Sequence, residues 1–159
     1  MPQSMAGKMA QNGTDKFPDL SDDVKRSISS TFWIFDEMLC RFEEFADGRE
    51  VHSVLYHERN RLSPHQRIEL LEAVKQMRGI VLELKETMGL EERVEDAASC
   101  IVGHSTAVWS YLEDTKSKRL KRYGQLPVGL ADYLDPRVEA IIGHIRRLWK
   151  IFEKKAEMR

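Results

Sequence analysis

One stretch of this chain is written twice. Ile101-Val102-Gly103-His104 followed by Val108-Trp109 returns forty residues later as Ile141-Ile142-Gly143-His144 followed by Leu148-Trp149. Two copies are too few for a solenoid, whose stacked units number three or more. The duplication instead requires two helices with one packing pattern, each carrying a glycine and a histidine at matched places. Glycine inside a helix costs roughly 1 kcal/mol relative to alanine, so its presence in both copies asks for a physical reason.

Around the repeat, the spacing predicts four long helices and almost no strand. Helix one begins at Ser21 as N-cap, with Asp22 and Asp23 complementing the positive helix end, and ends at Asp47-Gly48. Its apolar stripe is Val24, Ile28, Phe32, Phe35, Leu39 and Phe42. Glu50 to Asn60, with Val51, Val54 and Leu55, reads as a short additional helix. Helix two has the clearest start: Ser63 caps it, Pro64 takes the first helical position and Gln66 closes a capping box. Its stripe Leu70-Val74-Met77-Val81-Leu84-Met88 alternates steps of four and three and stops at Gly89. Helix three opens at Glu91-Glu92 and runs through Trp109 to the region of Lys116. Helix four starts at Asp135-Pro136 and carries Val138, Ile141, Ile145, Leu148 and Phe152. The link from Tyr123 to Leu134 holds Gly124, Pro127 and Gly129 and is suited to covering a bundle end. These pieces make an all-α antiparallel four-helix bundle with one or two short extra helices. Residues 1–18 read as a disordered N-terminal tail, and 19–159 as a single helical bundle domain.

Composition narrows the function classes. At 159 residues the chain suits one domain that buries about 68–70% of its unfolded surface. With 42% hydrophobic and 32% charged residues it is not of the disordered class. A net charge of −1 gives no global attraction to nucleic acid or anionic lipid. Cys40 and Cys100 are too few for a disulfide scaffold and read as reduced cytosolic thiols. Met1 to Lys16 lacks the apolar core of a secretory signal. The longest uncharged stretch, Ala97 to Leu112, falls short of the about 20 apolar residues a membrane span needs. A soluble cytoplasmic protein is the expectation.

Helix three differs from the others, which have charged backs. With Ile101 set to zero and about 100° per residue, its apolar stripe centres near about 30°. Opposite lie Ser99, Gly103, Thr106 and Ser110, flanked by Cys100 and Ala107, all small and uncharged. A helix without a charged face is buried on more than one side, and small residues admit another backbone closely. The set Ser99, Gly103, Thr106, Ala107 and Ser110 therefore reads as a two-fold homodimer interface, with burial at the centre of a larger domain as the other way to cover it. Trp33, off the stripe of helix one beside Ser29, Ser30 and Cys40, joins that set as an exposed aromatic of the kind interfaces enrich.

Three further constellations carry chemistry. His104 and His144 lie at the borders of their stripes, and facing histidines in a bundle can hold a haem or a metal ion. The Glu-x-x-His spacing of di-iron bundles is missing, and Cys100 with His104 makes only one pair. Arg59-Asn60-x4-His65 resembles the motif of HEPN-domain ribonucleases, which implies metal-independent RNA cleavage by Arg59 and His65 at a dimer interface. The match departs from that family where Ser63-Pro64 interrupts it and in preceding the second helix rather than lying late in the domain. The basic run Lys116, Lys118, Arg119, Lys121 and Arg122, with Tyr123 available to stack on a base, could bind phosphates; cations at a helix C-terminus also oppose its negative dipole end. No nucleophile arrangement, phosphate-cradling glycine loop or protected carboxylate pair is visible. The reading is a non-enzymatic helical-bundle interaction protein, with a second copy of itself or another protein as partner and with nucleic acid and membrane disfavoured. A haem- or metal-binding bundle and an RNA-binding or HEPN-like ribonuclease are the alternatives.

Overall fold

The computed structural model describes residues 17 and 19–153. The tail expected over residues 1–18 therefore lies outside the described residues except for Phe17, as does the end of the chain beyond 153. The protein is all-α apart from one two-stranded ribbon. Its elements are α1 (Asp22–Ala46), β1 (Val51–His52), β2 (His57–Glu58), α2 (Pro64–Met88), α3 (Ala97–Asp114), α4 (Ser117–Leu120), a 3-10 turn Lys121–Tyr123, and α5 (Leu130–Glu153). The chain divides into two compact units, Met1–Arg93 and Val94–Arg159, and each contains one pair of long helices: α1 with α2, and α3 with α5.

In the first unit the local signals act as expected. The Ser21 hydroxyl accepts from the Val24 N–H and starts α1. The Ser63–Gln66 capping box closes in both directions, and Gly89 ends α2 in the left-handed region at φ 63°. Leu39, Ala46 and Val74 are buried between the two helices. Arg78 of α2 reaches Asp36 and Glu43 of α1, and the nearby carboxylates, Glu43 first, hold its proton more tightly than usual. At the turn after α1, Gly48 has φ 88°, a left-handed conformation that glycine takes freely and other residues rarely adopt; the Arg67 guanidinium, 2.7 Å from where a Cβ would stand, is a flexible side-chain end that could shift.

Three boundaries differ from the sequence expectation. The segment 50–60 is not a helix but a tight antiparallel ribbon in which Val51 faces Glu58 and His52 faces His57. Asn60 explains why: its side-chain amide donates to the carbonyls of Phe45 and Arg49, and its carbonyl oxygen accepts from the Leu62 N–H. With Asn60 tied to the end of α1, the chain between must double back, and β-branched Val51 and Val54 suit an extended path. Helix α3 starts at Ala97 rather than at Glu91-Glu92. The Asp96 carboxylate accepts from the Ser99 N–H as the true cap, while Glu91 and Glu92 are tied to Trp33 and Lys85. Helix α5 begins at Leu130, before Pro136. Pro136 gives up its own N–H bond to Asp132 and crowds that carbonyl, yet the helix continues through it across exposed turns.

Candidate functional site

The repeated stretch builds the second unit. Aligned across the forty-residue offset, Val102 matches Ile142 and Trp109 matches Trp149, and all four face the seam between α3 and α5. Ile142 is fully buried, and Val138 and Ile145 flank it. The two tryptophans meet edge to face, with ring centres 6.2 Å apart. Trp149 donates its indole N–H to the Ser105 hydroxyl at 2.8 Å, and Lys116 bonds Glu139 at 2.6 Å. Partners whose numbers rise on one helix as they fall on the other make the pair antiparallel. The two copies are thus related by an approximate two-fold axis through the hairpin. Within the seam the symmetry breaks in its hydrogen bonding. Ser105 corresponds to Ile145, which cannot accept a hydrogen bond, and the Trp109 indole N–H is buried without an acceptor among the described residues.

That two-fold decides what lies outside. The residues of α3 that face α5 are Ala98, Val102, Ser105, Trp109 and Leu112, centred at about 60° on the scale used above rather than about 30°. The apolar stripe is therefore only half covered, and no residue of α3 is buried. Ile101, Val108 and Tyr111 stand exposed on one flank. Their counterparts Ile141 and Leu148, with Ile151, are exposed at the same angular offset on α5. In antiparallel helices equal offsets fall on the same side of the hairpin. One broad face consequently carries six large apolar side chains that are 39 to 70% exposed.

The opposite broad face holds the small residues read from the sequence. Ser99, Gly103, Thr106, Ala107 and Ser110 are all exposed, and the Thr106 hydroxyl turns back to the Val102 carbonyl at 2.8 Å. On α5 the same side carries Glu139, Arg146 and Lys150. Trp33 belongs to the first unit, where it is half-buried and its indole N–H donates to the Glu91 carbonyl at 2.9 Å, latching the segment after α2 onto α1.

His104 and His144 are both exposed and both lie on the apolar face. With Trp149 level with Ser105, the histidines stand about six residues apart along the hairpin, or about 9 Å. That is too far for one metal ion, and no cluster of three or more potential metal ligands exists among the described residues.

The basic run is largely engaged within its own unit. Lys116 is half-buried between Glu113 and Glu139, whose hydrogen bonds, Glu139 first, push its pKa up. Arg119 lies 3.9 Å from Asp114, and Arg122 covers one face of the Tyr123 ring. Lys118, Lys121 and Arg122 are the cations of the run without an ion partner among the described residues. The shallow depression beside Lys116 is lined by Asp132, Asp135 and Glu139, an acidic wall that repels phosphate. Asp135 accepts from both the Ser117 hydroxyl at 2.6 Å and its N–H at 2.8 Å, which holds the carboxyl below its ordinary value.

Arg59 and His65 turn to different neighbours. His65 pairs with Glu69 one turn along α2 at 3.3 Å, whereas the Arg59 Nε donates to His57 Nδ1 at 3.4 Å. The ribbon gathers a group of residues that sequence reasoning missed. On one face His52 and His57 stack with ring centres 4.3 Å apart. On the other, Glu58 accepts from Arg41 of α1 and from the Tyr56 hydroxyl at 2.7 Å. The bond to Glu58 raises the Tyr56 pKa. The alternation Val51-His52-Ser53 and Tyr56-His57-Glu58 was the available signal; a turn of Val54-Leu55, with neither glycine nor asparagine, concealed it. Comparison with protein-family models, with curated proteins and with solved structures finds no match for this chain.

Proposed function

We propose that this is a non-enzymatic, cytoplasmic interaction protein that pairs with a second copy of itself through the broad apolar face of the α3–α5 hairpin. The observation that supports it is the row Ile101, Val108 and Tyr111 beside Ile141, Leu148 and Ile151, large apolar side chains left exposed on one side of a helix pair. Each Å² of apolar surface removed from water is worth about 25 cal/mol, so a contiguous face of this kind favours a cover. A second copy is the occupant the symmetry favours. The hairpin already has an approximate two-fold axis, and two such faces stacked together place four helices around one closed core, completing a four-helix bundle. The hairpin's own composition agrees, because α3 from Ala97 to Leu112 has no charge to meet or satisfy across the contact.

The small-residue side of α3 is the weaker surface for such a contact, since a partner there also meets Glu139, Arg146 and Lys150. A Cβ at Gly103 would find nothing within 4 Å, so Gly103→Leu leaves the hairpin intact and probes that side alone. Light scattering at micromolar concentration tests the proposal. The parent protein is expected to be a dimer, Val108→Glu a monomer and Gly103→Leu still a dimer. A dimer broken by Gly103→Leu but not by Val108→Glu moves the contact to the small-residue side. A monomeric parent protein ends the dimer reading.

A further inference from the structure

The outward face of the β1–β2 ribbon brings together basic groups that have no part in the hairpin contact. His52 and His57 are direct cross-strand partners, and their imidazoles stack with ring centres 4.3 Å apart and planes 26° apart. Arg59, two residues beyond His57 and so on the same face, donates its Nε–H to His57 Nδ1 at 3.4 Å. All three side chains are exposed. This bond assigns the His57 tautomer. With Nδ1 accepting, the proton of the neutral ring sits on Nε2, and His57 presents a donor outward.

Two ligand classes compete for a histidine pair, and the arginine decides between them. A metal ion needs a bare ring nitrogen and tolerates no cation alongside, yet here the free His57 nitrogen carries a hydrogen and a guanidinium lies next to it. An oxyanion needs the reverse: several N–H donors and a positive charge. Catalysis by the pair is a poorer fit, because rings stacked this closely cannot stand on opposite sides of a reacting phosphorus. Of the two nearest carboxylates, one lies away from the site and the other, Glu50, stays beside it. Glu58 lies on the other face, where it binds Arg41 and Tyr56. Glu50, which the ladder places opposite Arg59, has one oxygen accepting the Asn60 N–H at 2.9 Å.

We propose that the His52, His57 and Arg59 face of the ribbon is an oxyanion site that holds a phosphate group. The Arg59 Nη groups supply the charged fork, His57 Nε2–H and the His52 ring supply further donors, and Asn60 fixes the strand by bonding the end of α1. The phosphate can belong to a small phosphorylated molecule or to a polynucleotide backbone.

Imidazole resonances followed by NMR during titration with inorganic phosphate test this. Saturable shifts confined to His52 and His57 are expected. Arg59→Gln and His57→Gln should each weaken binding about tenfold, the effect of removing one charge-assisted hydrogen bond. Lys75→Gln, an exposed cation on α2, should leave it unchanged and so separates a local site from general charge attraction. Glu50→Gln keeps the acceptor for Asn60 but removes a negative charge, and should tighten phosphate binding. A parallel titration with a single-stranded oligonucleotide lacking terminal phosphates identifies the source. Binding of both with the same Arg59 dependence assigns a polynucleotide, and binding of inorganic phosphate alone assigns a small phosphorylated ligand. No saturable shift with either, equal affinity in Arg59→Gln, or tight zinc binding that Glu50→Gln weakens would each overturn the proposal.

Discussion

The two helix pairs of this chain supplement their apolar seams differently. The α1–α2 pair buries Leu39, Ala46 and Val74 and adds charge and tethers: Arg78 on Asp36 and Glu43, Trp33 on the Glu91 carbonyl, Asn60 across the end of α1. The α3–α5 pair rests on a tryptophan couple and a short apolar seam, with the Trp149–Ser105 bond across its middle and further polar bonds at one end around Ser117, Lys116, Asp135 and Glu139. Exposed ion pairs contribute little each, typically under about 1 kcal/mol, but they tolerate water. An apolar seam half left open does not. Both pairs leave large apolar side chains exposed, Ile34, Ile68 and Ile80 in the first and the α3–α5 row in the second; the proposed partner contact on the second is what can be broken or sharpened residue by residue.

The largest effects should come from the two seams themselves. Leu39 and Ile142 are each fully buried. Truncating either to alanine should cost about 2–5 kcal/mol, measured by thermal or denaturant unfolding. Hydrogen exchange should show the loss of protection confined to α1 and α2 for Leu39→Ala, and to α3 and α5 for Ile142→Ala. Protection lost equally in both pairs would show that the comparison divides the molecule wrongly.

The broken symmetry of the repeat gives a smaller and more selective effect. Trp149→Phe removes the bond to Ser105 and should cost about 1 kcal/mol beyond the change in ring size. Trp109→Phe removes an indole N–H that has no acceptor, so it should be close to neutral or stabilising. Equal costs at the two positions would mean that Trp109 finds an acceptor the hairpin does not provide.

Where the sequence was legible, the signal was local. Ser63, Pro64 and Gln66 specify a helix start among themselves, and Gly89 specifies its end, so α2 could be read to the residue. The errors arose where a distant group decides. The ribbon at 51–58 depends on Asn60 reaching back to Phe45 and Arg49, and the delayed start of α3 on Trp33 and Lys85 holding Glu91 and Glu92. Pro136 was read as a helix start although only one N–H bond is lost within an exposed turn. The outward face was hidden by a rotation of about 30°. Ile101 and Val108 belong to the apolar stripe of α3 by pattern, but α5 covers the side of Val102 and Trp109 instead. The matched histidines were visible from the start; their difference in level follows only from the antiparallel pairing.

The smallest expected effect is on pH dependence. The Ser117 bonds hold the Asp135 carboxyl below its ordinary value, so the group adds stability above that value and loses it as pH falls through the lowered one. Stability of the α4–α5 junction should therefore decline below about pH 4, the ordinary range for aspartate. Ser117→Ala should flatten this acid limb while leaving the α1–α2 pair unchanged, read by circular dichroism melts across pH. An acid limb of unchanged slope in Ser117→Ala would assign it to other carboxylates.

The central claim is that the open apolar face of α3 and α5 is closed by a second copy, and sedimentation equilibrium of the parent protein beside Val108→Glu tests it most directly. An unpaired charge at the centre of that contact costs several kcal/mol, and each 1.4 kcal/mol is about tenfold in dissociation constant. The account predicts a parent dimer across the micromolar range and a Val108→Glu monomer whose helix content is unchanged. A parent protein that stays monomeric throughout, or a Val108→Glu variant that dimerises as the parent does, would contradict it.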